Sequence, residues 1–403
     1  MPFPGQDIIT RRLLAFCMIA SACLCVPHTG HTGELADDTV ARLDSVLEDL
    51  RAAHDVPGLA VGILENSEPV YAKGFGVRSL ETDAPVDADT LFPVASISKT
   101  FTATAIMQLA ERQAVDLNAR LSTYLPQFRH SGISILNLLT HTAGLPDDYA
   151  PTGRSGEEAV PAYVAQVAYD GTDFTPGTDW AYADTHFNIL GAVVQSLTET
   201  PFPDYAKDKL LEPLGMTRSS FRPVADMENV ALPHTGWLTL SPGGGRPWDV
   251  AFAPSEGLHS SARDMLIWAK ANLDNDPRLL LPGNYATVHK LRTDTAWDGV
   301  RMALGWQVEG PPGSPVLRHA GGMDGVAALL TLYPDTERAI VILSNSEKTP
   351  RFEIRRAINA ILDGETYTPQ SGSGMGLWGV LLGILLGAGA LYLGFMVCRH
   401  RKS

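Results

Sequence analysis

Cysteine is nearly absent from this 403-residue chain, and its absence excludes several kinds of chemistry. The four cysteines are Cys17, Cys23, Cys25 and Cys398, all near one end or the other. The long stretch between them can therefore contain no disulfide framework, no cysteine-ligated metal site and no cysteine nucleophile. Because none of them lies in that stretch, the cysteines say nothing about its compartment.

Common cofactor motifs are missing as well. The chain has no H-E-x-x-H, P-loop or G-x-S-x-G sequence, and its histidines do not recur at metal-ligand spacing. The G-x-G-x-x-G match at 374–379 follows no predicted strand, so we do not interpret it as a nucleotide site. We therefore expect neither a metal nor an organic cofactor.

An excess of basic charge is also lacking. The formal net charge is −14; the first 35 residues balance, while Arg399, Arg401 and Lys402 are positive, so the part between carries about −17. Such a surface disfavours nucleic acid as a partner and offers no basic patch to anionic lipid.

The first residues have the pattern of an export signal. Arg11 and Arg12 precede an apolar run over 13–26, and Ala20-Ser21-Ala22 supplies an A-x-A cleavage site. We predict a signal peptide over 1–25. A second interpretation stays open, because a cysteine at position 23 after small residues also resembles a loose lipoprotein box, in which Cys23 would be lipidated.

The last residues have the pattern of a membrane anchor. Residues 376–398 carry no charge and are long enough to cross a bilayer as a helix. A basic tail over 399–403 follows and should lie in the cytoplasm. With a polar linker over 366–375, these features predict a single-pass cell-membrane protein whose main domain faces the extracytoplasmic side, periplasmic or outer.

Glycine recurs every fourth residue in the predicted membrane helix, at Gly379, Gly383 and Gly387. Small residues on one stripe let two helices approach closely, which would allow a homodimer. The alternative is that glycine is simply frequent in membrane helices.

One large domain over 36–365 remains between these ends. Its pattern predicts a helix over 36–54, hairpins over 58–77 and 325–344, and a closing helix over 352–362. Strands gathered at both ends of a helical middle indicate an α+β fold. We expect an antiparallel sheet flanked by helices, with a helical lobe inserted between its strands.

The segment Ser96-Ile97-Ser98-Lys99 contains the first candidate catalytic residues. Apolar residues at helical spacing follow this segment, so Ser96 and Lys99 should lie on one face, about one turn apart, at the start of a helix. A serine hydroxyl needs a neighbouring group to take its proton, and a helix N-terminus offers free N–H groups to an oxyanion. Alone, the pattern also fits a helix N-cap serine followed by a surface lysine.

Two later motifs strengthen the interpretation. Tyr182-Ala183-Asp184 precedes an apolar helix, and His319-Ala320-Gly321-Gly322 precedes a strand-like run. With Ser96-x-x-Lys99, this ordered set resembles the serine β-lactamase and penicillin-recognising superfamily, in particular its class C branch with related esterases and D-amino-acid peptidases. The resemblance covers about 36–370 and includes the segment 138–146, where we expect His141 to brace the turn at 145–146.

The resemblance implies the β-lactamase/transpeptidase-like fold with a cleft between lobes, and it implies a role for each motif residue. Ser96 would be the nucleophile, and Tyr182 the general base and acid. Lys99 would share the proton, and its positive charge should lower the pKa of Tyr182. The backbone N–H groups of Ser96 and Gly322 would form the oxyanion hole. The substrate-binding positions would be Asp184, His319, Ala320 and Gly321.

Two positions depart from the family pattern. Asp184 stands where asparagine is usual, so we expect it to pair with Lys99, favour the charged lysine and repel an anionic substrate. His319 stands where lysine is usual, which removes a fixed positive charge. Arg318 is next to it, but neighbours on a strand point to opposite faces. Both changes favour neutral ester or amide substrates.

Three functions therefore remain open. The first is a membrane-anchored serine hydrolase that acts on an ester or peptide bond of a small molecule or peptide. The second is a true β-lactamase or penicillin-binding D-alanyl carboxypeptidase. The third is a surface binding protein that keeps the cleft without catalysis.

Overall fold

The computed structural model describes residues 35–369 apart from 130–131, 148, 150–155, 157, 225–226, 237–238 and 245–246. Its helices are α1 Asp37–Ala53, α2 Ser98–Glu111, α3 Ile135–Leu139, α4 Ala159–Asp170, α5 Asp184–Thr198, α6 Phe202–Ala206, α7 Glu212–Leu214, α8 Ala253–Glu256, α9 Ala262–Leu273, α10 Pro282–His289 and α11 Arg351–Leu362. Its strands are β1 Gly58–Glu65, β2 Glu68–Gly76, β3 Phe92–Pro93, β4 His234–Thr235, β5 Ser241–Pro242, β6 His259–Ser260, β7 Thr293–Asp294, β8 Arg301–Met302, β9 Gln307–Glu309, β10 Val316–Met323, β11 Val326–Tyr333 and β12 Arg338–Ser344.

The first and last parts of the domain share one sheet. Within the described ranges, eight strands pair antiparallel in the order β2-β1-β12-β11-β10-β9-β8-β7. Because β1 pairs with β12, the chain between β2 and β7, which includes helices α2 to α10, is an insertion between strands of the same sheet. This confirms the predicted α+β architecture, its two hairpins and its inserted helical lobe.

Alternating residues of the central strands pack on opposite faces of the sheet. On β12, Ile340 and Ile342 pack against α1 and α11, whereas Val341 and Leu343 belong to the core shared with the lobe. Every residue of β12 is buried, as expected of a strand covered on both faces. The face toward the lobe carries the candidate site.

Helix α2 is the centre of the lobe. All its residues from Ser98 to Leu109 are buried, and Phe101 stacks on Trp268 of α9 with ring centroids 3.6 Å apart. The helix packs against α5 and α8. The S-x-x-K motif spans the turn before this enclosed helix and its first residues, so it has little freedom to move.

The predicted terminal segments fall largely outside the described ranges. The signal peptide over 1–25, the membrane helix over 376–398, the tail over 399–403 and most of the linker belong to this group. Among the described helices, none is both long enough and apolar enough to span a bilayer. At the start of the linker, Tyr367 donates a hydrogen bond to Glu353 of α11 at 2.7 Å, so this residue still contacts the domain.

Candidate active site

Ser96 lies in a single 3₁₀ turn, Ala95–Ile97, that continues directly into α2. Its side chain is half-buried, and Lys99 follows one turn later, fully buried. The preceding residue, Ala95, has a φ of +47°, a left-handed conformation that is uncommon for residues other than glycine. Ser96 is therefore held on a tight, strained turn at a helix start.

The ammonium of Lys99 has three acceptors. Its Nζ lies 3.1 Å from Ser96 Oγ, 2.5 Å from Asp184 Oδ1 and 3.1 Å from the backbone oxygen of Ser255. The Tyr182 hydroxyl interacts with the same ammonium, so its three hydrogens are shared among four oxygens. The structure thus joins the first motif to the second through Lys99.

The charge of Lys99 is fixed by its neighbours. Burial favours the neutral amine, but Asp184, followed by Tyr182, more than offsets burial and raises the pKa of Lys99 above its ordinary value. The expectation that Asp184 pairs with Lys99 and favours its charged form is confirmed. A charged Lys99 stabilises negative charge nearby.

Tyr182 lies just before α5, beside this pair. Lys99 Nζ is 5.0 Å from the centre of its ring, and its hydroxyl interacts with Lys99 and Ser96. Burial raises the pKa of Tyr182, Lys99 lowers it and Asp184 raises it, with a net increase. The expectation of a lowered pKa is therefore wrong, because burial and the adjacent carboxylate outweigh the lysine.

The ring of Tyr182 packs on His141, which in turn contacts His186, and both histidines are buried. The ring of His141 lies 4.4 Å from that of Tyr182, its Nδ1 accepts the Ala183 N–H at 3.3 Å, and His186 Nδ1 is 3.1 Å away. Burial lowers the pKa of both, that of His186 to about 3, so both are neutral at neutral pH. The sequence analysis assigned His141 to the turn at 145–146, whereas its ring packs on Tyr182.

The third motif lies within β10, one element earlier than the strand pattern indicated. Leu317 and Gly321 face the lobe, and so does His319, which is fully buried. Its Nδ1 is 2.9 Å from the oxygen of Ala320, and burial, followed by the charge of Lys99, lowers its pKa to about 3. His319 is therefore neutral and supplies no positive charge to the cleft.

The glycines of this motif bring β10 against the turn that carries Ser96. A Cβ on Gly321 would lie 2.2 Å from the backbone oxygen of Val94, so only glycine fits there. The next residue, Gly322, is exposed, and β10 packs against the turn that carries Ser96. Ala320 packs against the α1 and α11 layer, so its side chain lies on the opposite face from His319.

Arginines surround the far side of β10. Arg318 pairs with Glu309 at 2.5 Å and lies over the ring of Phe352, on the α11 face, so it does not replace the missing charge. Arg351, at the start of α11, does approach the motif. Its Nη1 donates a hydrogen bond to the Gly321 oxygen at 2.9 Å and lies near Gly322. The sequence analysis missed Arg351, because only the fold brings this helix to the motif.

Trp297 and a second carboxylate, that of Asp147, also lie next to the residues of the second motif. Trp297, 39% exposed, has its ring centre 5.4 Å from that of Tyr182. Asp147 Oδ1 accepts the Thr185 N–H at 3.0 Å in the first turn of α5, next to Asp184. Asp147 directly follows the segment 138–146 of the family resemblance, which was the only signal in the sequence that could have indicated it.

Comparison with known proteins agrees with this geometry. The family model described as "Beta-lactamase" matches residues 43–364, so the chain belongs to the beta-lactamase family. It is 28% identical over 316 residues to penicillin-binding protein 4 of Amycolatopsis lactamdurans, covering 73% of this chain and 82% of that protein. It is 25% identical over 343 residues to protein Flp of Staphylococcus aureus (strain COL), covering 79% of this chain and 66% of Flp, just under two thirds.

Solved structures show the same fold. An octameric penicillin-binding protein homologue from Pyrococcus abyssi superposes with a TM-score of 0.73 at 25% identity, over 81% of this chain and 78% of the other. A class C beta-lactamase superposes with a TM-score of 0.72 at 21% identity, over 82% and 98% of the two chains. The family and this fold support assignment to the serine hydrolases.

Proposed function

We propose that the protein is a hydrolase that forms an acyl-enzyme on Ser96 and acts on an ester or amide bond of a neutral substrate. The observation that carries the proposal is the arrangement of Ser96 Oγ, Lys99 Nζ and Asp184 Oδ1 in one chain of contacts beside Tyr182. A serine hydroxyl, a tyrosine that can carry its proton and a fixed cation can together carry out nucleophilic acyl transfer.

Proton transfer through Tyr182 accounts for both halves of the reaction. The Tyr182 oxygen takes the proton of Ser96 as the Oγ–carbonyl bond forms, and then gives it to the departing alcohol or amine. In the second half, Tyr182 takes a proton from the attacking water and returns it to Ser96 Oγ as the bond between Oγ and the acyl carbon breaks, which frees the acid. Lys99 would stabilise the phenolate of Tyr182 before it takes the proton, and the N–H groups of Ser96 and Gly322 would hold the negative charge that then forms on the substrate oxygen.

The preference for neutral substrates follows from the charges of the cleft. His319 is neutral, because burial lowers its pKa, and Asp184 brings a carboxylate next to the nucleophile. An anionic substrate group beside His319 would meet no positive charge from the third motif, and one beside Asp184 would be repelled by its carboxylate.

Arg351 favours a second candidate, a β-lactamase or penicillin-binding D-alanyl carboxypeptidase. Its guanidinium lies beside Gly321 and Gly322, and a guanidinium binds a carboxylate well. A substrate with its carboxylate directed toward α11 could therefore be held without a lysine in the third motif.

Two covalent probes separate the candidates. A fluorophosphonate and a fluorescent penicillin would each be incubated with the wild type and with Ser96→Ala. Labelling by the fluorophosphonate alone, lost in the variant, supports the proposed hydrolase. Labelling by both supports the second candidate, whereas labelling by neither indicates the non-catalytic binding protein.

We also propose that the domain is held at the extracytoplasmic side of the cell membrane. The support is the apolar, uncharged segment 376–398 followed by a basic tail, together with the export signal pattern at 1–25. The full chain should fractionate with membranes, whereas a chain ending at residue 365 should be released into the soluble extracytoplasmic fraction. Recovery of both forms in the cytosol would contradict the proposal.

The glycine stripe of the predicted membrane segment gives a separate test of self-association. A two-hybrid reporter for membrane helices should give a signal with the isolated segment, and Gly383→Ile should abolish it. An unchanged signal would mean that Gly379, Gly383 and Gly387 do not form a dimer face.

A further inference from the structure

Arg351 is the first residue of α11, and its guanidinium contacts the backbone of the third motif. Its Nη1 donates a hydrogen bond to the Gly321 oxygen at 2.9 Å. The dipole of a helix disfavours a cation in the first turn, so the stability of α11 does not explain an arginine at this position. The contact with the third motif offers another reason for it.

Three arginines surround the ring of Phe352. The guanidinium carbons lie 5.0, 5.4 and 5.6 Å from the ring centre, for Arg318, Arg351 and Arg355 respectively. Glu309 pairs with both Arg318 and Arg355. Within the described ranges Arg351 forms no ion pair, and its Nε is buried without a hydrogen-bond partner. Of the three cations, Arg351 is therefore the one whose charge is left to act on the backbone.

This charge is costly to keep. Arg351 is half-buried, and burial, followed by the charge of Arg318, lowers the pKa of Arg351 below its ordinary value. An arginine nevertheless stays protonated in a protein, so the guanidinium remains a cation. A cation that is removed from water without a carboxylate partner destabilises the folded state. Such a cost is expected where the charge serves a neighbouring group, and here that group is the peptide between Gly321 and Gly322.

The peptide that Arg351 contacts has two ends. Its C=O belongs to Gly321 and accepts the hydrogen bond, and its N–H belongs to Gly322, the oxyanion donor of the proposed reaction. In a trans peptide these two groups point in opposite directions, so Arg351 acts at the end remote from the oxyanion. A hydrogen bond from a cation draws electron density toward the carbonyl oxygen, which makes the N–H of the same peptide a stronger donor.

We propose that Arg351 is a positioning residue of the oxyanion hole, which polarises the Gly321–Gly322 peptide so that the Gly322 N–H holds the oxyanion more tightly. This inference rests on the proposed acyl-serine function. The substrate oxygen gains its negative charge only when Ser96 Oγ or water attacks the carbonyl carbon, so the effect is largest in the transition state. Both halves of the reaction form such an oxyanion. Arg351 should therefore raise kcat for a neutral ester and change KM little.

The test is steady-state hydrolysis of p-nitrophenyl acetate by Arg351→Met and Arg351→Lys. Arg351→Met keeps an unbranched side chain against Phe352 but removes the charge, so kcat should fall about tenfold, with KM within about twofold of the wild type. Arg351→Lys keeps a cation and should recover most of the lost kcat. A trifluoromethyl ketone forms a tetrahedral oxyanion adduct on a serine, and Arg351→Met should weaken its binding by the same factor as kcat/KM.

Arg355→Met is the matched control, because it is the same substitution one turn later in the same helix. Arg355 lies over the same ring, but its Nη1 donates to Glu309 at 2.9 Å, and in the described structure it does not bond to the third motif. Arg355→Met should keep kcat and ketone affinity within about twofold of the wild type. Denaturant titration would verify that both methionine variants are folded.

Direct binding of a substrate carboxylate by Arg351 would give a different result. In that case Arg351→Met should raise KM for an anionic ester, such as the mono-p-nitrophenyl ester of succinic acid, and leave hydrolysis of the neutral acetate unchanged. This result would overturn the proposal, since an effect on the oxyanion hole must lower kcat for both esters.

The remaining outcomes separate this proposal from the function on which it rests. Acetate hydrolysis that is absent from the wild type, or persists in Ser96→Ala, removes the proposed function and this inference with it. Hydrolysis that depends on Ser96 but has the same kcat in Arg351→Met overturns the inference alone. Equal losses of kcat in Arg351→Met and Arg355→Met would overturn it too, because the loss would then come from packing around Phe352.

Discussion

At the scale of single residues, the contact between Lys99 and Asp184 is the main determinant of charge in the candidate site. Lys99 is fully buried, and a buried charge is costly unless it is paired and hydrogen-bonded. Its bonds to Asp184, Ser96 and Ser255 meet that need. The same carboxylate raises the pKa of both Lys99 and Tyr182. The departure from the family pattern therefore sets the proton affinity of the site.

Replacing this carboxylate should move the pH dependence of the reaction. In Asp184→Asn, the influence that raises both pKa values is gone, so the pKa of Tyr182 and that of Lys99 should fall. Because the reactive form has Tyr182 deprotonated, kcat/KM for an ester should rise at lower pH than in the wild type. Activity at pH 7 should increase several-fold, and acylation by a β-lactam should increase too.

The matched control is Asp147→Asn, the same substitution at the neighbouring carboxylate, which does not contact Lys99. Its pH profile should stay closer to that of the wild type. A fall in acylation by Asp184→Asn would give the carboxylate a positive role in holding Lys99 and would contradict this account.

At the scale of the element, local sequence patterns predicted the structure where they are strong. The hairpin strands β1 and β2, the strands β11 and β12, and the closing helix α11 all have clear apolar periodicity. β10 was missed, because His319-Ala320-Gly321-Gly322 has little intrinsic preference for a strand. It is a strand because it pairs with β11 and packs against the nucleophile turn, which are contacts distant in sequence.

Gly321 is the residue that this packing requires. In Gly321→Ala, the new Cβ would lie 2.2 Å from the Val94 oxygen, so β10 and the Ser96 turn must separate. We expect unfolding free energy to fall by about 1–3 kcal/mol and ester hydrolysis to fall more than tenfold, measured by denaturant titration and by kcat/KM. Gly322→Ala is the stability control, because its Cβ would have no neighbour closer than 3.6 Å. Equal stability of the two variants would contradict the packing argument.

The candidate site, too, could be predicted only where its signal lies in the local sequence. The motif residues Ser96, Lys99 and Tyr182 meet as expected, because their spacing and order are visible in the chain. The packing of His141 on Tyr182 and the approach of Arg351 to the third motif could not be predicted, since they depend on how the lobe and α11 fold back onto the sheet. The direction of the pKa shift of Tyr182 could not be predicted from the sequence either, because it depends on burial.

At the scale of the whole molecule, several histidines are enclosed in the neutral form. Burial lowers the pKa of His186 and His319 to about 3, and that of His259 and His289 to about 4. The unfolded chain protonates these groups near pH 6.5. A folded-state pKa below the unfolded value means that the unfolded state binds more protons as the pH falls.

Stability should therefore decline as the pH falls from about 6.5 toward about 4. At pH 5, each of the four histidines should cost up to about 2 kcal/mol of unfolding free energy relative to neutral pH. Urea titrations of the domain at pH 7 and pH 5 would measure the difference. The same unfolding midpoint at both values would contradict the buried neutral state of these histidines.

The central claim is that an acyl group is carried by Ser96, and intact-mass spectrometry tests it most directly. The wild type, incubated with a fluorophosphonate, should gain the mass of one adduct, and fragmentation should locate that adduct on Ser96. Lys99→Ala should react much more slowly, and Ser96→Ala should gain no mass. An adduct on another residue, or the same mass gain in Ser96→Ala, would contradict the account.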